Sequence, residues 1–293
     1  MPLSSFCASF CVELVGECMS HMKDRELHAC SLVCHSWRVL AQSLFFETIV
    51  LRRGVKKLAR LERNPHLLRH VRHIIGETSF PFPEMFTAYG PLRIRTLEFR
   101  ENVRYGPAPL ANIVNAIRTV SLTLETFTLR DSIPVSYPAF CDILKALGRC
   151  KRLRNLTLPP PYRIGDNQSA AQQRADDALA EFDKMARDLL PFEDRPQLNF
   201  LQLIPSAYRD NPRPNTAAMR DPLASEYKWL EEGKCPFNLR LLRELVIGPP
   251  VAIQVVLPIT RRSLHRLEVC QAFDTRSSWT LYGEFCAVSV LIV

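Results

Sequence analysis

The sequence predicts an α/β protein in which a short N-terminal helical unit precedes a long array of short parallel strands and helices. Two observations predict this arrangement. Apolar residues recur at helical spacing from Phe10 to Phe46, and a pattern with apolar residues at positions 1, 4 and 6 occurs six times after residue 90. With 293 residues, 47% of them hydrophobic, the chain is long enough to bury a sizeable core.

The first half of the N-terminal segment is apolar around more than half of a helix. At about 100° per residue its apolar side chains cover about 200°, nearly twice what one neighbouring element needs. These side chains are Phe10, Cys11, Val12, Leu14, Val15, Cys18, Met19 and Met22. A unit of about 40 residues buries too little surface to be stable unaided. The surplus apolar face must therefore lie against the rest of the chain or against another protein.

The second half of the segment begins with helix-start residues. Asp24 is expected as N-cap, and Glu26 lies in the first turn near the positive end of the helix dipole. Apolar and small residues follow at helical spacing: Leu27, Cys30, Val33, Cys34, Trp37, Leu40, Ala41 and Leu44. We predict two or three short helices in all, with Cys30 and Cys34 as small core residues and one edge of Trp37 exposed.

This segment resembles the F-box motif without a gap. Glu13-Leu14-Val15 and the run CSLVCHSW over residues 30–37 lie where that motif carries its first-helix leucines and its Val-Cys-x-x-Trp sequence. The family usually opens with Leu-Pro, whereas this chain has Phe10-Cys11. The resemblance implies a helical domain over residues 5–48 that docks onto the Skp adaptor of a cullin-RING (SCF) ubiquitin ligase. The adaptor-binding residues it implies are Phe10, Cys11, Leu14, Val15, Cys34 and Trp37.

Residues 49–293 are predicted to form the strand-and-helix array. A helix over Leu58–Leu68 is interrupted at Asn64-Pro65, because the residue before proline is pushed out of helical geometry. A short strand is predicted over Val71–Ile75. The six repeated units then begin at Ile94, Leu124, Leu153, Leu198, Leu242 and Leu264.

The repeated pattern has a physical basis. Positions 4 and 6 point to the same side of a strand, so stacking the strands in parallel builds one continuous core. This is typical of a leucine-rich repeat, and we expect an irregular leucine-rich-repeat-like solenoid. The expectation makes Leu129, Leu158, Leu203 and Ile247 fully buried and leaves the intervening Thr128, Thr157 and Gln202 tolerant of substitution.

Helices are predicted between the strands. Periodic apolar residues place two of them at 110–117 and 140–147. The two longest intervals hold added helices: one starts from the capping pair Ser169 and Gln172 and runs to about Leu190, and the other has Asp221 as N-cap and ends before Gly233. The uncharged run from Phe285 to Val293 is expected to add a strand beside Leu267 and Val269.

The chain shows no motif for catalysis, metal or cofactor binding. The cysteines and histidines between residues 7 and 73 lack zinc-finger spacing, and the histidines at 66, 70 and 73 are expected on the surface. No phosphate loop, nucleophile elbow, H-E-x-x-H or dinucleotide fingerprint occurs. We therefore predict a protein that is not an enzyme and has no cofactor.

Composition limits where the protein works. The ten cysteines are scattered and no secretory signal or membrane-length apolar run is evident, so we expect free thiols and a cytoplasmic or nuclear location without membrane contact. The net charge of +8 is uneven: residues 1–165 carry 23 basic and 13 acidic side chains, whereas 166–235 carry 9 and 13. A nucleic-acid ligand rests on this charge alone and is not what we expect.

Together these patterns favour a substrate receptor. The helical unit would bind the Skp-type adaptor and cullin complex, and the repeat region would bind an unknown protein substrate for ubiquitylation. The whole arrangement resembles the F-box proteins of fungi that have degenerate leucine-rich tails. The alternative is a leucine-rich-repeat-type interaction scaffold with no ubiquitin-ligase role, whose N-terminal helices only cap the array.

Overall fold

The fold is that of a computed structural model. It describes residues 7–51, 56–77, 82, 85–88, 92–100, 110–130, 137–159, 179–203, 227–231, 233–247, 256, 258, 260, 263–272 and 285–291. Within these ranges, the side chains of residues 7–11, 85, 87, 269–272 and 285–291 are not described. None of the described helices is both long enough and apolar enough to cross a membrane.

The N-terminal segment folds into three helices, as predicted: α1 (Cys7–Ser20), α2 (Asp24–Cys30) and α3 (His35–Glu47). The expected N-cap is wrong by one residue. Lys23 occupies that position, with extended backbone angles, and Asp24 is already helical. The Glu26 carboxylate accepts a hydrogen bond from the backbone N–H of Lys23 at 2.7 Å and so satisfies one of the free donors at the helix start.

Nine strands form one sheet in chain order. The strands are β1 (Thr48–Leu51), β2 (His73–Glu77), β3 (Thr96–Arg100), β4 (Thr126–Leu129), β5 (Asn155–Leu158), β6 (Phe200–Leu203), β7 (Glu244–Ile247), β8 (Arg266–Ala272) and β9 (Phe285–Leu291). The first eight are parallel to their neighbours, and β9 pairs antiparallel with β8. The six predicted units correspond to β3 through β8.

Helices connect the strands, as parallel pairing requires. They are α4 (Lys56–Arg63), a 3-10 helix (Pro65–His70), α5 (Met85–Ala88), α6 (Leu110–Val120), α7 (Tyr137–Leu147), a helical stretch over 179–187, and two 3-10 helices (Phe192–Asp194 and Lys228–Leu230). The predicted break at Asn64-Pro65 is confirmed, since α4 ends at Arg63 and the 3-10 helix begins at Pro65.

The two added helices are confirmed only in part. The first is helical over 179–187, and its predicted start at Ser169 and Gln172 lies outside the described residues. The second is a 3-10 turn over Lys228–Leu230 in its described part, and Asp221 lies outside that part.

The register brings every position-4 residue opposite its counterpart on the next strand. This row consists of Ile49, Ile74, Leu97, Phe127, Leu156, Leu201, Leu245 and Leu267. All eight side chains are buried. Leu129, Leu158, Leu203 and Ile247 are at most 2% exposed, which confirms their predicted burial. Thr157, which was expected to tolerate substitution, is also buried, and it donates a hydrogen bond to Gln202 Oε1 at 3.3 Å.

Two strands at the start of the sheet follow the same rule, although the sequence pattern was not recognised there. Phe46, Ile49 and Leu51 occupy positions 1, 4 and 6 of the first, and all three are buried. In the second, Val71 is position 1 rather than the start of the strand, and position 6 is Gly76. An end-of-helix phenylalanine and a glycine hid these two units from a search for repeated apolar residues.

Gly76 makes room for an aromatic ring on the next strand. It is paired in register with Phe99, which is 2% exposed. A Cβ atom at position 76 would lie 2.9 Å from Phe99 Cε1, closer than side-chain atoms normally approach. The smallest and one of the largest side chains therefore share the space that two leucines fill between other strands.

The inserted segments extend the core over α7 through aromatic contacts. Phe182, in the helical stretch 179–187, meets the Tyr137 ring edge-on at a centroid distance of 6.1 Å. Trp229 lies between Phe140 and Phe237, at 5.8 and 6.3 Å. The insertions are thus packed parts of the domain in their described ranges.

The predicted C-terminal pairing is confirmed. Leu267 lies opposite Val290, and Val269 lies opposite Val288. The burial expected for this run concerns side chains outside the described set. Antiparallel pairing closes the hydrogen-bonding edge of β8 without a crossover helix.

Adjacent residues on β4 test the register. Replacing Leu129 with Ala should lower the free energy of unfolding by about 2–5 kcal/mol, because the methyl groups lost from a buried site leave a cavity. Replacing Thr128 with Ala should change it by about 0.5 kcal/mol or less, because this half-exposed side chain lies on the other face of the strand. Urea unfolding followed by circular dichroism measures both. Equal losses would contradict the assigned faces.

The Gly76–Phe99 pair should show coupling. Gly76→Ala should cost about 1–3 kcal/mol, because its methyl group cannot enter the space that the ring occupies. Phe99→Leu shortens that side chain, so the double variant should be more stable than the sum of the two single losses. A double-mutant cycle by urea unfolding measures this coupling, and strictly additive losses would show that the methyl group finds other space.

Candidate docking site

The three N-terminal helices enclose a small core of their own. Met19, Leu27 and Ala41 are buried at its centre, one from each helix. Partly buried side chains pack around them: Val15, Met22, Cys30, Trp37, Leu40, Leu44 and Phe45. The next residue, Phe46, belongs instead to the main core of the sheet. The centre of this unit is too small to account for all of the apolar residues in the segment.

Leu14 is one of the residues left over. Its side chain is 57% exposed. On α1 it lies about 140° around the helix from the buried Met19, so it points away from α2 and α3. Cys18, one turn further on, is exposed on the same side. The outer face of α1 therefore presents apolar surface that no described residue covers.

A second apolar surface lies in the connection between α2 and α3. Leu32 and Val33 are 70% and 64% exposed, and Cys34 is also exposed. The backbone beneath them is held in a turn, because the N–H groups of Leu32 and Val33 donate to the carbonyls of Ala29 and Cys30 at 3.0 and 3.1 Å. Arg38 Nε donates to the Ser31 carbonyl at 3.3 Å from the far side. An ordered turn thus exposes two large apolar side chains.

The six predicted adaptor-binding residues fall into three groups. Leu14 and Cys34 are exposed, and Val15 and Trp37 are half-buried against the small core. Phe10 and Cys11 belong to α1, but their side chains lie outside the described set.

The expectation that Cys34 is a core residue is wrong. It is the N-cap of α3, and its extended backbone angles turn the side chain out of the helix bundle. Cys30 is half-buried, and its thiol lies 3.6 Å from Met22 Sδ. Sequence periodicity placed both cysteines on one continuous helix face, although the chain changes direction between them.

The predicted adaptor-binding set omitted four exposed apolar residues of the helical unit. They are the exposed Val12, Leu32, Val33 and Val39. The position of Leu32 and Val33 between two short helices was a usable signal, because side chains at such a junction lie beyond both helix faces. Helix periodicity placed Val33 on a helix face and did not select Leu32.

A polar junction fixes the helices to the sheet. Lys57 Nζ, at the start of α4, lies 2.9 Å from the Asp24 carboxylate of α2. The same ammonium lies 4.4 Å from the ring centroid of Phe45 in α3, close enough for a favourable cation–π contact. Since α3 also runs directly into β1, the helical unit is held at the first strand of the sheet.

The described part of the chain offers little for chemistry at this site. Its described residues contain no group of three or more potential metal ligands. Six cysteines are free, including Cys18, Cys30 and Cys34 in the helical unit. Burial raises the pKa of Cys141, Cys150 and Cys235 in the sheet domain to about 12, so those thiols stay protonated near neutral pH and are weak nucleophiles.

Substitutions of Trp37 and Leu14 should distinguish a packed side chain from an exposed one. Trp37→Ala should destabilise the helical unit by about 1–3 kcal/mol, less than a fully buried tryptophan would, because only part of the ring is buried. Leu14→Ser should change stability by about 0.5 kcal/mol or less. Amide hydrogen exchange of α1 to α3 in the full chain measures both. Strong deprotection of these helices by Leu14→Ser would mean that this leucine is packed.

Comparison with known proteins identifies this unit. The F-box domain family matches residues 8–48, the range that contains α1, α2 and α3. No curated protein matches the chain. F-box domains bind Skp-type adaptors in SCF complexes, and the proteins that carry them are typically adaptors rather than enzymes. The helical unit at residues 8–48, with its small core and its two exposed apolar surfaces, is an F-box domain.

Proposed function

We propose that this protein is the substrate-recognition subunit of an SCF-type cullin-RING ubiquitin ligase. In this function the F-box domain binds the Skp-type adaptor, which links it to the cullin, and the sheet domain binds the protein to be ubiquitylated. The F-box match at residues 8–48 is the observation that carries the proposal. The protein then acts by holding two partners together, without catalysis or a cofactor of its own.

The distribution of exposed apolar side chains supports adaptor docking. Seven large apolar side chains are exposed among the described residues, and five of them belong to the F-box domain: Val12, Leu14, Leu32, Val33 and Val39. Large apolar side chains exposed together on one small domain commonly mark a protein interface. We assign the adaptor contact to the exposed Leu14, Leu32, Val33 and Cys34, with Val15 and Trp37 positioning α1 and α3, and with Phe10 and Cys11 at the N-terminal end.

The sheet domain is proposed as an irregular leucine-rich-repeat-like solenoid that binds the target. In support, β1 to β8 follow one another in chain order, and the position-4 side chains form one buried row. The residues between them lie on the other face of the sheet, which is mostly polar and includes Thr96, Thr126 and Asn155. Such a face leaves room for a partner polypeptide. The free thiols agree with a cytoplasmic or nuclear location.

Co-purification with the Skp adaptor tests the proposal. The test variant combines Leu14→Ser with Leu32→Ser, because both side chains are exposed and neither substitution opens a cavity. Recovery of the adaptor should fall by at least tenfold, since two of the proposed apolar contacts with the adaptor are lost. Leu122→Ser is the matched control, because Leu122 is 81% exposed but lies in the sheet domain.

Each result has a defined meaning. Loss of the adaptor in the double variant, with full recovery in the control, would support F-box docking through this surface. Equal recovery in all three proteins would contradict the assigned residues. Absence of the adaptor from the wild-type preparation would contradict the ligase function and favour an interaction scaffold.

A further inference from the structure

At the amino-terminal edge of the sheet, the residues that immediately precede the strands form a regular row. The N–H groups of Arg95, Arg154 and Arg243 donate to the carbonyls of the corresponding residues on the preceding strand, at 2.8, 2.8 and 2.9 Å. The ladder therefore extends one residue beyond the strands. Neighbouring members of the row are about 4.8 Å apart, the spacing of hydrogen-bonded strands.

Basic side chains outnumber acidic ones at this edge, although the 3-10 helix before β6 adds the exposed Glu193 and Asp194. The row holds a fourth arginine, Arg72 before β2. Besides Arg95, Arg154 and Arg243, the turns just before β3 and β5 carry Arg93, Lys151 and Arg152, all exposed. We call these six residues the basic edge. Glu125 is the nearest described counter-charge, 3.7 Å from Arg95. Within the described part of the chain, no carboxylate lies within ion-pair distance of Arg93, Arg152 or Arg243.

Two arginines at the carboxyl-terminal ends of the strands, in contrast, have a carboxylate partner. Arg100 and Arg130 both lie 2.7 Å from Glu98 Oε1. Burial opposes ionisation of Glu98, but the hydrogen bonds from these two guanidinium groups outweigh it and hold its pKa below the ordinary value. Those arginines have an internal partner, whereas most of the basic edge has none among the described residues.

Two leucines are exposed between the charges of the basic edge. Leu122, in the turn before β4, is 81% exposed, and Leu241, in the turn before β7, is 51% exposed. They are the two large apolar side chains exposed in the described part of the sheet domain. Lys151 and Arg152 belong to the turn before β5, between the two leucines.

Hydrogen bonds between neighbouring turns hold this surface in place. Thr123 Oγ1, next to Leu122, donates to the Ile94 carbonyl at 2.7 Å. Arg154 Nη1 donates to the Gln197 carbonyl at 2.9 Å, and Ser263 Oγ donates to the Leu242 carbonyl at 2.9 Å. An ordered surface loses little conformational entropy when it binds a ligand.

We propose that the basic edge binds an extended, acidic polypeptide segment that carries two apolar side chains, one for Leu122 and one for Leu241. The strands that follow the two leucines, β4 and β7, are three strand spacings apart, or about 14 Å. An extended peptide covers that distance in about four residues. The segment thus has apolar residues about four positions apart with carboxylates between them. The inference rests on the proposed function, because the segment belongs to the protein to be ubiquitylated.

A polypeptide fits this edge better than a nucleic acid does. Single-stranded nucleic acids bind to basic grooves in which aromatic rings stack on the bases. The two large exposed apolar residues between the charges here are leucines, which bind apolar side chains and do not stack. The ring of Phe192, before β6, is half-buried and already in contact with the guanidinium groups of Arg195 and Arg240. Charge complementarity alone would serve either ligand, but the spaced leucines favour the peptide.

Selection from a display library of random 12-residue peptides tests the proposal on the full chain. The edge variant carries Arg93→Ser, Arg152→Ser and Arg243→Ser. The control carries Lys56→Ser, Lys184→Ser and Arg187→Ser, three exposed basic residues on helices, so that the net charge is the same. Wild type and control should enrich acidic peptides with two apolar residues about four positions apart. Affinity of the edge variant for the enriched peptides should fall about tenfold, since each exposed ion pair contributes modestly.

A second variant tests the leucines. Leu122→Ser with Leu241→Ser should retain the acidic preference and lose the apolar one. The proposal is overturned if the wild type shows no acidic enrichment, or if the edge variant selects the same peptides with the same affinity. It is also overturned if a 20-nucleotide single-stranded DNA binds the edge at physiological salt more tightly than the peptides, or if the edge variant changes the oligomeric state, which would identify a second copy as the occupant.

Adaptor recovery, measured on the same proteins, separates the two proposals. The edge variant should keep the adaptor and lose the peptides, and the Leu14/Leu32 double variant should do the opposite. If wild type selects acidic peptides but recovers no adaptor, the ligase function fails and the peptide site stands. If wild type recovers the adaptor but selects no such peptide, the peptide site fails and the ligase function stands.

Discussion

The fold depends on one buried row, in which the position-4 side chains of eight consecutive parallel strands lie opposite one another. Each strand has only four to seven residues, so no strand can bury its apolar side alone. A shift of one residue in any strand would turn its apolar set to the open face and break the row. This constraint places every turn before a strand at the same edge, and every intervening residue on the same face.

Next to this row, the position-6 side chains vary in size where neighbouring strands compensate. Gly76 and Phe99 share space that two medium-sized side chains fill elsewhere. Phe99 and Phe127 follow on adjacent strands, with ring centroids 6.2 Å apart. The summed volume of neighbouring side chains is therefore kept, although the volume at each single position varies. This lets the repeat be irregular and still close-packed.

Sequence periodicity predicted the elements whose apolar residues repeat cleanly, namely the helices 110–117 and 140–147 and the six later strands. Periodicity was an incomplete guide where one position of a unit does not carry the expected apolar residue. A short strand was predicted near Gly76, but this glycine hid its place in the repeat. Phe46 was correctly assigned to a helix, but it was not recognised as position 1 of the first unit, where its ring enters the main core. At the docking site, helix periodicity placed Cys34 inside because it cannot represent a change of chain direction. The exposed Leu32 and Val33 follow from that turn, which only three-dimensional structure shows.

The two proposed binding surfaces are held by the same framework but differ in physical character. The F-box domain has three buried side chains at its centre, and contacts of Lys57 with Asp24 and Phe45 help to attach it to the start of the sheet. The surface assigned to the adaptor is apolar, so binding there should respond little to salt. The basic edge draws its shape from the ladder of the sheet and its attraction from charge, so binding there weakens as salt rises. One framework can therefore hold an adaptor firmly through the first surface while it exchanges targets through the second.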